Sequence, residues 1–278
     1  MRVAGSLPAR VRVLALTSQS ARVAALRAAG IVPLQGNLDD ARTLRRLGGL
    51  AQRIVHLAPP ATHGVQDDRS RRLLRILRLR APAQALVYGS TSGVYGDCKG
   101  DPVDETRTVR PQTERAMRRV DAEAQVRHFG RASAVSVCVL RIPGIYAADR
   151  EGGTPFGRLQ KGLPALLAQD DVYTNHIHAE DLARALTLAL WRGRPQRCYN
   201  VNDDSVLKMG DYLDAAAALY GLAPPPRRTR EALAQELSPM QMSFMGESRR
   251  LENCRIKKEL RFRLRYPDVM DGLAAGLS

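Results

Sequence analysis

The sequence has few aromatic residues, few lysines and no closely spaced cysteines. Aromatic residues make up 5% of the 278 residues, so small aliphatic side chains are expected to do most of the packing. The four cysteines, Cys98, Cys138, Cys198 and Cys254, form no CxxC pair. This spacing argues against a zinc site and against a disulfide framework. We therefore expect no metal and a reducing, cytoplasmic location.

The chain also has no apolar run close to the about 20 residues that a membrane-spanning helix needs, so no membrane contact is expected. Its formal net charge is +15, and such a charge can serve nucleic-acid binding by releasing counterions from phosphates. The basic residues, however, are nearly all arginine and are scattered along the whole chain. The densest runs, 69–80 and 249–265, alternate with Leu and Ile as solvated helix faces do. The charge therefore does not by itself predict a nucleic-acid partner.

Segments with strand and helix patterns alternate through the first two thirds of the chain. The strand patterns are 11–17, 31–36, 53–60, 83–90 and 132–144, and the helical patterns between them are 18–30, 39–50, 67–81 and 111–130. A serine is expected to cap the first of these helices, Asp39 or Asp40 to start the second, and Pro111 to lie in the first turn of the last. Repeated alternation predicts an α/β fold with a Rossmann-like, doubly wound parallel sheet.

After Pro143 the alternation becomes irregular. We predict that residues 1–142 form the core with the sheet. Residues 143–278 are expected to form mostly a small C-terminal substrate lobe, from which 178–204 return to the core. Such a lobe would close over the carboxyl ends of the strands, where sheets of this type bind ligands.

A glycine-rich turn is missing near the start of the sequence. A dinucleotide-binding sheet normally opens with a strand, this turn and a helix whose N-terminus holds the pyrophosphate. Gly5 is the only glycine before the first strand pattern, Val11–Thr17, and serines and glutamine follow that pattern. We interpret Val11–Thr17 as the second strand of the sheet and Met1–Arg10 as the end of its first helix. A start codon upstream of Met1 and a truncated protein both stay open as explanations, and the first is preferred.

Six motifs occur in an order that resembles one family. They are LQGNLDD (34–40), VHLAPP (55–60), STSGVYG (90–96), LRIPGIY (140–146), NHIHAEDLARAL (175–186) and YNVND (199–203). Together they resemble the extended short-chain dehydrogenase/reductases of the NAD-dependent epimerase/dehydratase group, which includes nucleotide-sugar epimerases. The resemblance implies an NAD(P)-binding core and a nucleotide-sugar-like or small carbonyl substrate.

The resemblance also implies where the cofactor lies. The implied cofactor contacts are Thr17, Ser18, Asn37, Leu38, Ala58, Pro59, Pro60, Arg119, Pro143, Gly144 and Ile145. No carboxylate follows Val11–Thr17 to bind the ribose 2′-hydroxyl, and Arg22 lies nearby. NADP is therefore slightly favoured over NAD.

In this family a Ser/Thr hydroxyl orients the substrate, a tyrosinate moves the proton, and a lysine one turn later binds the nicotinamide ribose. Thr91 falls on the hydroxyl position beside Ser90 and Ser92, although these hydroxyls could equally cap the following turn. The Tyr and Lys positions hold Arg115 and Arg119, which share one helix face at i, i+4 spacing. Arg119 can still donate to ribose hydroxyls. Arg115 cannot transfer a proton near neutral pH, because a guanidinium has a pKa above about 12. An exposed pair of arginines can also simply complete a helix surface.

Other residues are weaker candidates. The expected substrate contacts are Ser92, Arg115, Asn175 and His176. Tyr95, Tyr146, His176 and His178 are considered as alternative acids, although Tyr95 normally packs in the family, and His178 with Asp181 more often caps a helix.

Two functional hypotheses remain. The first is an NAD(P)-dependent oxidoreductase or epimerase, and the second is a non-catalytic dinucleotide-binding sensor or assembly protein. The expected partners are a dinucleotide and a small molecule. The apolar helices would also allow a homodimer.

Overall fold

The computed structural model describes residues 1–237, 242 and 245–277. Its strands are β1 (Leu14–Thr17), β2 (Val32–Gln35), β3 (Arg53–His56), β4 (Ala85–Thr91), β5 (Pro102–Val103), β6 (Ser136–Ile142), β7 (Gly144–Tyr146), β8 (Ala165–Leu166), β9 (Tyr173–Thr174), β10 (His176–His178), β11 (Arg197–Asn200), β12 (Leu207–Lys208), β13 (Arg227–Arg228) and β14 (Arg250–Leu251). Its helices are α1 (Arg2–Gly5), α2 (Arg22–Ala28), α3 (Asp68–Leu77), α4 (Glu114–Ser133), α5 (Phe156–Gln160), α6 (Ala179–Arg192), α7 (Met209–Tyr220), α8 (Arg230–Glu236), α9 (Cys254–Leu260) and α10 (Val269–Ala274). Two 3-10 helices cover Ala41–Leu47 and Ser92–Tyr95.

A parallel sheet in the order β11-β6-β4-β3 forms the centre of the protein. Its longest pairing runs between β4 and β6, from Ala85 opposite Ser136 to Thr91 opposite Ile142. Apolar side chains of α3 and α4 pack on one face of the sheet, and those of α6 and α9 pack on the other. Because both faces are covered, β6 is apolar almost throughout. This arrangement confirms the predicted α/β, Rossmann-like fold.

The first two strands form a separate sheet. β1 and β2 pair in parallel from Leu14 opposite Val32 to Thr17 opposite Gln35. In the part of the chain that the structure describes, neither strand is hydrogen-bonded to the four-stranded sheet. Arg69 of α3 connects the two sheets, because it donates to Asp39 after β2 and to the carbonyl of Pro59 after β3. The interpretation of β1 as the second strand of one larger sheet stays a prediction.

Two of the three predicted helix starts were wrong. No serine caps α2, whose N-cap is Ala21 and makes no side-chain bond. Pro111 lies before α4, because the hydroxyl of Thr113 accepts from the amide of Ala116 and starts that helix. Asp40 does cap the segment that follows it, but this segment is a 3-10 helix and not an α-helix.

The first ten residues also differ from the expected helix end. Only Arg2–Gly5 is helical there. This short helix packs on α6, where Val3 joins the buried cluster on that face of the central sheet.

The later part of the chain builds short two-stranded pairings around α5, α7 and α10. β7 pairs with β10, β8 with β13, and β9 with β12. Residues 178–204 supply α6 and β11, both of which pack in the core. The domain boundary after residue 142 stays a prediction. None of the helices in the described ranges is long and apolar enough to cross a membrane.

Candidate functional site

A cavity of about 550 Å³ opens where β4 and β6 end. It is bounded by the N-terminal part of α4, by β7, by residues 152–158 and by α7. Ten residues singled out from the sequence line it: Thr91, Ser92, Arg115, Arg119, Pro143, Gly144, Ile145, Tyr146, Asn175 and His176. Because parallel strands bring their carboxyl ends to one edge, motifs far apart in the chain meet here.

Thr91 is the last residue of β4, and Ser92 follows it. The hydroxyl of Thr91 accepts from the amide of Gly93 at 3.3 Å and caps the 3-10 helix Ser92–Tyr95. The capping alternative is therefore observed for Thr91, although the residue still lines the cavity. A role for this hydroxyl toward substrate stays a prediction.

Arg119 is held against the end of β4. One of its nitrogens, Nη1, donates to the Tyr88 hydroxyl at 3.0 Å and to the Gly89 carbonyl at 2.8 Å. Burial raises the pKa of Tyr88 to about 12, even though the neighbouring Arg119 opposes this effect. Tyr88 is thus a neutral hydroxyl at physiological pH, and it fixes Arg119 without neutralising its charge.

A buried ion pair lies beneath this part of the site. Glu123 of α4 accepts from Arg141 of β6 at 2.8 and 3.2 Å and from the hydroxyl of Ser90 at 2.6 Å. The guanidinium of Arg141 also lies 4.7 Å from the centre of the Tyr95 ring. These contacts join α4 to β4 and β6 directly below Thr91. The sequence signal for them was a single arginine in an otherwise apolar strand.

Tyr95 and Asn175 have structural partners. Tyr95 does not line the large cavity, because its buried hydroxyl donates to Asn200 at 2.7 Å. Burial raises the pKa of Tyr95. The amide of Asn175 bonds to the backbone of Arg249 and Leu251 at 2.9 and 2.8 Å, which places the segment containing β14 beside β10.

His176, His178 and Tyr146 form an aromatic cluster, in which the ring centre of Tyr146 lies 6.3 Å from that of His176 and 5.1 Å from that of His178. Burial lowers the pKa of His176 to about 4, so its ring is neutral near pH 7. The ring of His178 caps α6 by accepting from the amide of Glu180, as the capping alternative predicts. The hydroxyl of Tyr146 is packed against Gly272, where an added Cβ would overlap it. Burial raises the pKa of Tyr146.

The remaining cofactor candidates lie at the ends of the first three strands. Thr17, Ser18, Asn37, Leu38, Ala58, Pro59 and Pro60 are not among the residues that line the cavity. The amide oxygen of Asn37 accepts from the backbone of Asp39 at 3.0 Å and shapes the turn after β2. Their contacts with a cofactor stay predictions. Within the described ranges, no cluster of His, Cys, Asp or Glu is arranged to hold a metal ion.

Three charged residues of the cavity were missed in the sequence. Arg158 lies on α5, and Glu247 and Arg249 precede β14 and form an ion pair at 2.7 Å. Arg158 belongs to none of the six motifs, and arginines are found throughout the chain. No local signal could therefore separate these residues from surface charges.

The fold and the cavity together define a Rossmann-like α/β protein with a cavity at the carboxyl ends of its central strands. Residues 4–202 match the NAD dependent epimerase/dehydratase family. The chain belongs to this family, as its ordered motifs predicted.

The chain is also similar to known proteins and solved structures. Protein YeeZ of Escherichia coli K12 is 27% identical over 185 residues, which are 66% of this chain and 60% of that protein. A conserved protein of unknown function from Silicibacter pomeroyi DSS is 31% identical, with a TM-score of 0.80 over 99% of this chain and 92% of that one. A dTDP-glucose 4,6-dehydratase, DesIV of Streptomyces venezuelae, solved with NAD and DAU, has a TM-score of 0.78 at 21% identity, covering 98% and 87% of the two chains. RMD of Pseudomonas aeruginosa, solved with NADPH, has a TM-score of 0.74 at 17% identity, covering 96% and 98%.

Proposed function

We propose that this protein binds NAD or NADP across its sheet edge and acts as an oxidoreductase or epimerase on a small molecule bound in the cavity. The observation that carries the proposal is that the ends of β4 and β6 and the start of α4 bring Thr91, Arg119 and residues 143–145 to one cavity. Structural neighbours solved with NAD or NADPH share this fold.

The residues at the nicotinamide end fit such a cofactor. In the described part of the chain, Nη1 is the only nitrogen of Arg119 that is engaged, which leaves its other N–H groups for ribose hydroxyls. When bound, the cofactor would accept or supply the hydride. Thr91 would donate a hydrogen bond to the substrate oxygen, and Pro143 to Ile145 would confine the nicotinamide ring.

A non-catalytic dinucleotide-binding role is the second candidate, and the residue at the tyrosine position favours it. Arg115 cannot exchange a proton near pH 7, and His176 is neutral with a pKa of about 4. In this role the cavity would still bind the dinucleotide, and the lobe would report its presence to a partner.

Calorimetric titration with NADPH and NADH shows whether the protein binds either nucleotide. We expect both to bind, and NADPH to bind slightly more tightly, because no carboxylate after β1 repels a 2′-phosphate. The variant Arg119→Leu should weaken binding of both, whereas Arg131→Gln, at the exposed far end of α4, should not. If neither nucleotide produced a heat of binding, the proposal would be wrong.

Catalysis is tested with two further variants on any activity that is found. Thr91→Ala is expected to lower kcat by at least about tenfold, whereas Arg115→Ala should leave a proton-transfer step unchanged. Full activity of Thr91→Ala would contradict the assigned role. A cytoplasmic location and a homodimer stay part of this proposal, to be checked by fractionation and by light scattering.

A further inference from the structure

Most of the net positive charge lies in the first third of the chain. Residues 1–96 contain fifteen arginines and four aspartates, with no lysine or glutamate, so they carry +11 of the net charge of +15. Two of these aspartates are engaged in the fold, because Asp67 is buried at the start of α3 and Asp39 accepts from Arg69. Few carboxylates are therefore left to neutralise the surface arginines of this region.

Six exposed arginines of this region lie on two segments that pack side by side. We call this surface the arginine face, and its members are Arg42, Arg45, Arg46, Arg75, Arg78 and Arg80. The first three belong to the 3-10 helix Ala41–Leu47, and the others lie in α3 or just after it. Gly48 follows the 3-10 helix so close to α3 that an added Cβ would lie 2.9 Å from the carbonyl oxygen of Ile76. Leu47 packs in the same apolar cluster as Leu73 of α3.

None of the six guanidinium groups forms an ion pair within the described ranges. Arg46 donates to the carbonyl of Gln35, and the side chains of the other five form no hydrogen bond in the part of the chain that the structure describes. The nearby carboxylate of Asp68 pairs with Arg71 at 2.8 Å. The arginine face therefore keeps its full positive charge at the surface.

The spacing of arginines along α3 suits a ligand with regularly repeated charges. Arg71, Arg75 and Arg78 follow one side of the helix at i, i+4 and i+7, about 5 to 6 Å apart along its axis. Guanidinium groups bind phosphate oxygens through parallel N–H donors. A surface patch of one sign attracts a polyanion, and binding is driven by the release of counterions from its phosphates.

The composition of the face distinguishes among nucleic acids. Proteins that bind single strands stack the bases on aromatic side chains, and no Phe, Trp or Tyr precedes Tyr88 in the chain. Duplex RNA is recognised partly through its 2′-hydroxyls, and residues 71–80 contain no Ser, Thr, Asn or Gln. Guanidinium groups without such neighbours fit the phosphate backbone of a DNA duplex.

The burial of α3 argues against a membrane surface as the partner. A helix that binds a membrane inserts its apolar side into the lipid, whereas Leu73, Leu74 and Leu77 of α3 are buried in the core. Leu50 and Leu79 are exposed beside the arginines, but isolated exposed leucines are common on soluble proteins.

We propose that the arginine face binds the phosphate backbone of double-stranded DNA without reading its sequence. None of its six arginines is in the described lining of the cavity. The inference is therefore independent of the proposed function, and DNA and a dinucleotide could be bound at the same time.

The test is a titration of a fluorescently labelled DNA duplex of mixed sequence with the full chain, followed by anisotropy at several sodium chloride concentrations. We expect the logarithm of the association constant to fall linearly with the logarithm of the salt concentration. Arg75→Gln/Arg78→Gln should weaken binding at least about tenfold at physiological salt and make the slope shallower by about 2. Arg42→Gln/Arg45→Gln should have a similar effect, because it removes two charges from the other segment of the face.

Arg192→Gln/Arg263→Gln is the matched control, since it removes the same charge from a different surface. Both arginines are exposed, at the end of α6 and after α9, and these helices pack on the opposite side of the central sheet from α3. The control should bind DNA with nearly the affinity and slope of the unmodified protein. Equal losses in the control and in the variants of the face would overturn the inference, because net charge alone would then explain the binding.

Three further results would also overturn it. They are an absence of binding to the duplex at low salt, tighter binding to a single strand or an RNA duplex, and tighter binding to phosphatidylserine vesicles than to the DNA duplex. All variants should keep the Tm of the unmodified protein, because the substituted side chains are exposed. The same titration with NADPH present should give an unchanged affinity, and failure of NADPH to bind would count against the proposed function alone.

Discussion

Replacing Glu123 by leucine should strongly destabilise the protein, because it leaves the buried guanidinium of Arg141 without its carboxylate partner. The side chains of Glu123 and Arg141 are each only 6% exposed, so water cannot replace the lost partner. The change removes the bonds at 2.8 and 3.2 Å to Arg141 and the bond at 2.6 Å to Ser90. Nη1 of Arg141 already has no partner in the described structure. Breaking a buried pair of this kind typically costs about 3 to 5 kcal/mol.

Urea denaturation, monitored by circular dichroism, should show this loss of unfolding free energy as a lower urea concentration at the midpoint of unfolding. Thermal unfolding should show a drop of roughly 2 to 4 °C for each kcal/mol in a protein of this size. Glu236→Gln is the control, since Glu236 and its partner Arg228 are 48% and 51% exposed and 3.9 Å apart. An exposed pair of this kind is worth less than about 1 kcal/mol.

The double variant Glu123→Leu/Arg141→Met distinguishes the cost of an unpaired buried charge from the cost of lost packing. Because an apolar pair of similar volume is often as stable as a buried ion pair, most of the stability should return. A single variant that costs less than about 1 kcal/mol, or a double variant as unstable as the single one, would refute the reasoning.

Two more predictions follow from the geometry of the described chain. Gly96→Ala should lower the unfolding free energy by roughly 1 to 3 kcal/mol, because Gly96 has φ of +68° and an added Cβ would overlap the carbonyl of Arg110. The matched control in chemical denaturation is Gly157→Ala, where nothing lies near the added Cβ. Equal effects of the two substitutions on the unfolding free energy would contradict the argument. Burial raises the pKa of Asp203 from 3.8 to about 8, so the folded state holds a proton that the unfolded chain releases, and this contribution to stability is lost as pH rises from about 4 through 8. Asp203→Asn should therefore gain stability relative to the unmodified protein as pH rises over that range, and a difference that is constant with pH would show that the carboxyl is already ionised.

The alternation of strands and helices and the family could be predicted from the sequence because their signals are local. Apolar β-rich runs and helical periodicity depend on neighbours within a few residues, and the motifs from STSGVYG to YNVND keep their order along the chain. Asp40 could be predicted as a cap for the same reason. The serine cap of α2 and the position of Pro111 were wrong, because helix starts depend on a balance of small local energies that packing can shift.

The cavity was decided by the tertiary structure. The sequence placed Thr91 and Arg119 at one site through their motifs, but it left open whether the Thr91 hydroxyl caps the following turn. It also could not show that Asn175 is bound to the segment containing β14, since these residues are about 75 positions apart. Arg158 looks like any other arginine in the sequence, and only the fold brings it to the cavity that Arg115 also lines. Sequence patterns report each residue's own surroundings along the chain, whereas a cavity exists only where the fold brings distant segments to the same edge of the sheet.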